Sequence, residues 1–186
     1  MALLEDNRLF PTDPIIRDRA RALYSQVRDL PIISPHGHTD PKWFAKNQAF
    51  QNPAELFVTP DHYVFRMLHS QGIPLEAMGV PRADGVKTEQ DPRKIWRLFA
   101  QNFYLFRGTP SRIWIEHAFQ HVFGIDTRLS SETADAVYDQ IAACLAQPAF
   151  RPRALFERFG IEALSTTESA LDDLRWHKII RDSDWN

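Results

Sequence analysis

Six prolines in this chain sit directly after a residue that caps helices: Asp13-Pro14, Asp40-Pro41, Asn52-Pro53, Thr59-Pro60, Asp91-Pro92 and Thr109-Pro110. A short polar side chain can accept a bond from the free N–H groups of a first helical turn. Proline at the next position lacks an N–H that would go unpaired there anyway. The arrangement predicts helix starts spread along the chain, and so a mostly helical protein. Apolar spacing extends them: Pro14–Arg28, Pro41–Lys46, Pro53–Val58, Pro60–Gln71, Pro92–Phe106 and Pro110–Phe123, with further helices over Ser131–Ala146 and Pro152–Phe159. Pro74–Val80 reads as a short helix and Pro81–Gln90 as a polar loop.

Only two stretches read as strands. Pro31–Ser34 is a short apolar run that stops at His36-Gly37-His38, and Ile161–Thr167 is the second. Ser169 with Asp172 three residues later has the form of a capping box, so a last helix is expected directly after that strand. About 120 residues of helical chain separate the two strands, and two strands alone make no stable sheet. The expected fold is α/β: an incomplete, N-terminal part of a TIM (β/α)8 barrel carrying a large all-helical insertion. Residues 1–40 and 160–186 would supply the first two βα units and residues 41–159 the insertion. A closed barrel needs roughly 250 residues, more than this chain has.

The chemistry of the chain narrows its partners. Net charge is -2, and basic residues are interspersed with acidic ones. Neither nucleic acid nor a membrane surface is expected as a partner. The single cysteine, Cys144, rules out an internal disulfide and fits the cytoplasm; its position on an apolar helix side predicts a buried, inert thiol. The N-terminus becomes charged too early for a signal peptide, and no apolar run approaches the roughly 20 residues of a membrane helix.

Three groups of residues can carry chemistry. In extended backbone, His36 and His38 point to one side, just past a strand end, where barrel enzymes place their active sites. With 7 histidines in the chain, about 0.3 such pairs are expected by chance, so the motif alone reads equally well as a metal-ligand pair or as two loop histidines. Two ligands are also one short of the three a catalytic zinc site uses. The second group is Asp61-His62-Tyr63-Val64-Phe65-Arg66, where His62 and Arg66 are one helical turn apart. These side chains suit an oxygen-rich anion, since guanidinium pairs bidentately with carboxylate; taken without context, a capped helix with exposed polar groups explains them as well. The third is Ser165-Thr166-Thr167-Glu168 with Asp172-Asp173, readable as sugar-hydroxyl contacts and a base or as helix capping. The aromatic series Phe99, Phe103, Tyr104, Phe106, Trp114 and Phe119 reads as core of the insertion. His117 and His121 lack the glutamate of a zincin helix and read as structural.

Together, the strand ending in His-x-His, the Asp-His-Tyr-x-x-Arg helix and the strand ending in Thr-Thr resemble the uronate isomerase (glucuronate isomerase) family of the amidohydrolase superfamily. The resemblance covers essentially the whole chain, as the N-terminal portion of a protein more than twice as long. It implies an aldose–ketose isomerase that interconverts D-glucuronate with D-fructuronate, and D-galacturonate with D-tagaturonate, through an enediol. It further implies that His36 and His38 hold a divalent metal, zinc by preference, with an aspartate ligand from the last barrel strand. His62 and Tyr63 would be catalytic and substrate-binding, with Arg66 supporting them at the substrate. The expected partner is a small uronate sugar, and homo-oligomerisation is left open. By itself this segment is expected to be inactive. Two other readings fit the residues: a metal-dependent hydrolase of the same superfamily, which would not rely on Tyr63, and a non-catalytic helical module with structural histidines.

Overall fold

A computed structural model describes residues 4–185. Helices dominate, and the strands β1 (Ile32–Ser34) and β2 (Ile161–Leu164) form a two-stranded parallel sheet. The chain divides into two compact units, one of Phe50–Ala146 with the chain up to Arg8, the other of Leu9–Ala49 with Gln147–Asn186. Residues 41–49 and 147–159, assigned to the insertion on sequence, belong by their contacts to the unit that holds the strands.

The strand unit contains α1 (Pro14–Tyr24), β1, α2 (Pro41–Lys46), α8 (Pro152–Arg158), β2 and α9 (Arg175–Arg181). Asp13 and Asp40 cap α1 and α2 by accepting from Ile16 N and Lys42 N. The strands pair Ile32 with Ile161, Ile33 with Ala163 and Ser34 with Leu164, with an irregularity between Ile32 and Ile33. Helix α2 packs against α8 and α9 around an aromatic cluster: Phe44 stacks on Trp185 at 5.5 Å, and Phe156 meets both edge-on. Arg153 braces it, its Nε donating to Phe44 O at 2.8 Å and its guanidinium lying over Trp185. No residue of either strand is buried. Ile33 is 66% exposed, and Ile15, Ile16 and Leu23 of α1 lie open as well.

The helical unit contains α3 (Pro53–Phe57), α4 (His62–Ser70), α5 (Pro92–Gln101), α6 (Pro110–His117) and α7 (Ala134–Leu145). It has its own core. Val64 and Leu68 of α4, Trp96 and Phe99 of α5, Phe119 and Ile141 are fully buried, joined by Phe103 and Phe106 from a 3-10 turn after α5. Trp96 has its polar atom satisfied, its indole N–H donating to Ala134 O at 2.8 Å. Asn52, Asp91 and Thr109 cap α3, α5 and α6.

Several sequence expectations are corrected. Helix α4 starts at His62 rather than Pro60, because the Asp61 carboxylate takes the capping role while Thr59 Oγ1 donates to Met78 O. The helix expected to run from Pro92 to Phe106 ends at Gln101; the Asn102 amide turns back to Leu98 O, and the chain tightens into the 3-10 turn. Residues 110–123 begin as α6 and widen into a π-turn at Ala118–Val122. Ser169 starts no helix: Asp172 and Asp173 accept from Leu174 N and Arg175 N, and α9 begins only at Arg175, after Leu174 in the left-handed region (φ 55°). Tyr104 and Trp114 lie outside the core, 57% and 60% exposed. Cys144 is half-buried rather than buried.

Candidate active site

The sequence-predicted residues form two clusters, one in each unit. In the strand unit, β1 ends at Ser34, and the chain bends so that His36 and His38 bring their Nε2 atoms to 3.1 Å. The rings stand nearly perpendicular, with centroids 5.0 Å apart. Both are exposed. At the roughly 2.0–2.1 Å of a metal–imidazole bond, two ligands on one ion lie about 3.3 Å apart if tetrahedral and about 2.9 Å if octahedral. The observed separation falls between the two, so the pair fits as two ligands of one divalent ion. Among the described residues, no group of three or more histidine, cysteine or carboxylate side chains gathers.

The backbone between the histidines is held from both strands. Ser34 Oγ donates to His36 O at 3.1 Å, and Thr167 Oγ1, beyond β2, donates to Gly37 O at 2.8 Å. A side chain at position 37 would press on this contact, since a Cβ there would lie 3.1 Å from Ser165 O and 3.2 Å from Leu164 Cδ1. Glycine lets the β2 end approach the turn that carries the imidazoles. Thr166, next to Thr167, is occupied by His177, whose Nε2 lies 2.9 Å from its Oγ1 and 3.7 Å from Glu168 Oε1. Asp172 and Asp173 are engaged with the backbone N–H groups of Leu174 and Arg175 at the entry to α9, although the Ser169–Asp172 capping box itself does not form.

In the helical unit, α4 carries the second cluster. Val64 and Leu68, four apart, anchor its buried face. Asp61 Oδ1 accepts from Tyr63 N at 2.8 Å and from Val64 N at 3.3 Å, fixing the first turn in which His62 and Tyr63 lie. Their rings lie 4.2 Å apart between centroids, tilted by 33°. Tyr63 is 56% exposed, and Trp114 meets it edge-on at 6.4 Å. Arg66, one turn on, is exposed and makes no hydrogen bond or ion pair with the described residues, which leaves its guanidinium open to an anion. Trp114 escaped the sequence reading because its spacing fits an aromatic core series. The one signal for it was its position directly before Ile115, which with Phe119 forms the buried side of α6 and its extension.

One unit carries a histidine pair just past the end of a parallel strand, and the other carries a helix that presents His62, Tyr63 and Arg66. Residues 10–186 match the glucuronate isomerase family model, and the chain belongs to that family. It is 57% identical over its whole length to a uronate isomerase of Mesorhizobium japonicum and 58% identical to one of Phenylobacterium zucineum. Its fold superposes on the crystal structure of glucuronate isomerase from Caulobacter crescentus with a TM-score of 0.94 at 54% identity, and on uronate isomerase from Thermotoga maritima with 0.82 at 26%. The chain spans 39% of the Mesorhizobium relative and 39% of the Caulobacter structure.

Proposed function

We propose that the full-length protein of which this sequence forms a part is a cytoplasmic uronate isomerase, interconverting glucuronate with fructuronate and galacturonate with tagaturonate. The observation that carries the reading is the match of residues 10–186 to the glucuronate isomerase family. The parallel β1–β2 pair with uncovered isoleucines and the short span relative to its relatives support a barrel completed by further chain, with the helical unit as an insertion between its first two strands.

His36 and His38 would hold a divalent ion, zinc by preference, as two of its ligands. When bound, the ion supplies Lewis acidity toward a substrate oxygen and so favours the enediolate. Arg66 is suited to pair with the uronate carboxylate, and His62 and Tyr63 to hydrogen-bond sugar oxygens and fix the open-chain form. In the reaction the C2 proton leaves to a base, its electron pair forms the C1–C2 double bond and the C1 carbonyl electrons move to O1, which takes a proton; the C2 hydroxyl then loses its proton and becomes a carbonyl as C1 is protonated. The segment alone is expected to be inactive.

The test is turnover of glucuronate and galacturonate by the full-length protein before and after metal removal and zinc reloading. Activity lost on chelation, restored by zinc and abolished in H36A/H38A is expected. No turnover of either sugar by metal-loaded, folded protein would overturn the proposal.

A further inference from the structure

The helical unit holds a second cluster of charge, in a cavity of about 510 Å³ lined by Tyr104, Arg107, Arg112, Glu116 and Arg128 among others. Its lining holds three arginines, of which Arg107 and Arg128 are exposed, and one carboxylate. Arg112 and Glu116 satisfy each other, with Arg112 Nε donating to Glu116 Oε1 at 2.8 Å; both side chains are largely buried, and Arg112 is fixed over the Phe103 ring. Arg107 and Arg128 make no ion pair or side-chain hydrogen bond with the described residues. The loop that carries Arg128 is nonetheless rigidly built: Thr133 Oγ1 donates to Arg128 O at 2.7 Å and accepts from Ser130 N at 2.9 Å, and Leu129 is buried between. The hydroxyls of Ser130 and Ser131 are turned to Glu132, outside the cavity lining, and Arg112 is committed to Glu116, so Arg107 and Arg128 are the guanidinium groups left to donate.

Like charges gathered in a concave site repel one another, and an oxyanion relieves the repulsion while accepting bidentate bonds from arginine. We propose that this cavity binds a phosphate group, carried by a small phosphate monoester or as inorganic phosphate, between Arg107 and Arg128 with Arg112 beneath. The exposed Tyr104 ring offers an apolar face beside it. Arg112 and Trp114 are two apart on α6 and so point to different sides of that helix, which separates this site from the His62–Tyr63–Trp114 cluster.

The experiment is calorimetric titration of inorganic phosphate, and separately of glucose 6-phosphate, into full-length, metal-loaded protein in low-salt buffer. Saturable binding is expected, weakened at least tenfold in R107A/R128A, and insensitive to saturating glucuronate. Tighter binding of the ester than of phosphate identifies the ester as the ligand; equal binding identifies the phosphate group itself. The variant R107K/R128K retains charge without the fork and is expected to bind with intermediate affinity, a second reading should the alanine variant lose its fold. Absence of binding, equal affinity in wild type and R107A/R128A, or displacement by glucuronate overturns the assignment. None of these outcomes depends on whether the protein isomerises uronates.

Discussion

Thr167 Oγ1 donates to Gly37 O at 2.8 Å, joining the chain beyond β2 to the midpoint of the His36–His38 turn. The bond fixes the peptide that sets the angle between the two imidazoles. Groups that orient metal ligands without touching the metal are commonly worth a factor of about 10–100 in affinity. On the proposed reading that His36 and His38 hold zinc, T167V is expected to weaken its binding by about tenfold, while T167S retains it. Competition with a chromophoric chelator, using full-length protein, measures this directly.

Asp61 presents His62 and Tyr63 by capping the turn they occupy. Replacing it by alanine leaves two first-turn N–H groups without their acceptor and should cost about 1 kcal/mol. D61N keeps the acceptor and should cost only a few tenths. Denaturant unfolding of both variants checks the difference. If α4 serves the reaction, D61A lowers uronate turnover more than its stability loss explains.

Arg66 makes no bond with the described residues, and Trp114 is solvent-exposed beside Tyr63, so neither holds the fold. R66A is expected to raise KM for glucuronate by about tenfold to a hundredfold, the worth of one charge-assisted pair of about 1.5–3 kcal/mol. W114A should raise KM more modestly, through a looser Tyr63 ring. Unchanged melting temperatures would separate both effects from unfolding; an unchanged KM in R66A would remove Arg66 from the site.

Trp96 makes the opposite prediction. It is fully buried, and its indole reaches Ala134 O across the contact between α5 and α7. W96A should destabilise by about 3–5 kcal/mol and W96F by about 1–3 kcal/mol, the latter from the lost hydrogen bond and a smaller cavity. Equilibrium unfolding distinguishes the two.

His117 gives a pH dependence. Burial first, then the nearby His121 and the Arg8 guanidinium, whose Nη2 lies 3.5 Å from its Nδ1, hold its pKa below the usual histidine value. The unfolded chain, with a pKa of about 6.5, therefore binds the proton more readily than the folded one. Stability from this group is complete above about pH 6.5 and is lost as pH falls from there through the folded pKa, below which the loss is constant. H117Q should flatten that part of the stability–pH curve.

Local physics was readable from the chain, and tertiary competition was not. Five of the six cap–proline pairs do start helices, because the donors they satisfy lie within three residues. Thr59-Pro60 fails because Asp61, two residues on, is a better-placed acceptor and Thr59 is drawn away by Met78 O. Ser169 fails because two aspartates compete for the backbone N–H groups ahead of α9. The histidine pair was legible from its i, i+2 spacing. What braces it, Thr167 on Gly37, joins residues 130 positions apart, and Trp114 meets Tyr63 only through a ring contact between residues distant in sequence; neither leaves a mark in local sequence.

That same separation bears on how the chain reaches its fold. The parallel ladder must close across some 130 positions, and closing so long a flexible loop is costly and slow. The stretch in between is not a flexible loop, however, because Phe50–Ala146 condenses around Trp96, Phe99 and Phe119 with contacts of its own. Once it does, the segments carrying β1 and β2 are tethered by a folded body, and the entropic cost of pairing Ile32 with Ile161 falls to that of the short stretches on either side. The histidine turn would then be the last part assembled. In pulsed hydrogen exchange during refolding, amides of α5 and α7 should become protected before those of the β1–β2 ladder.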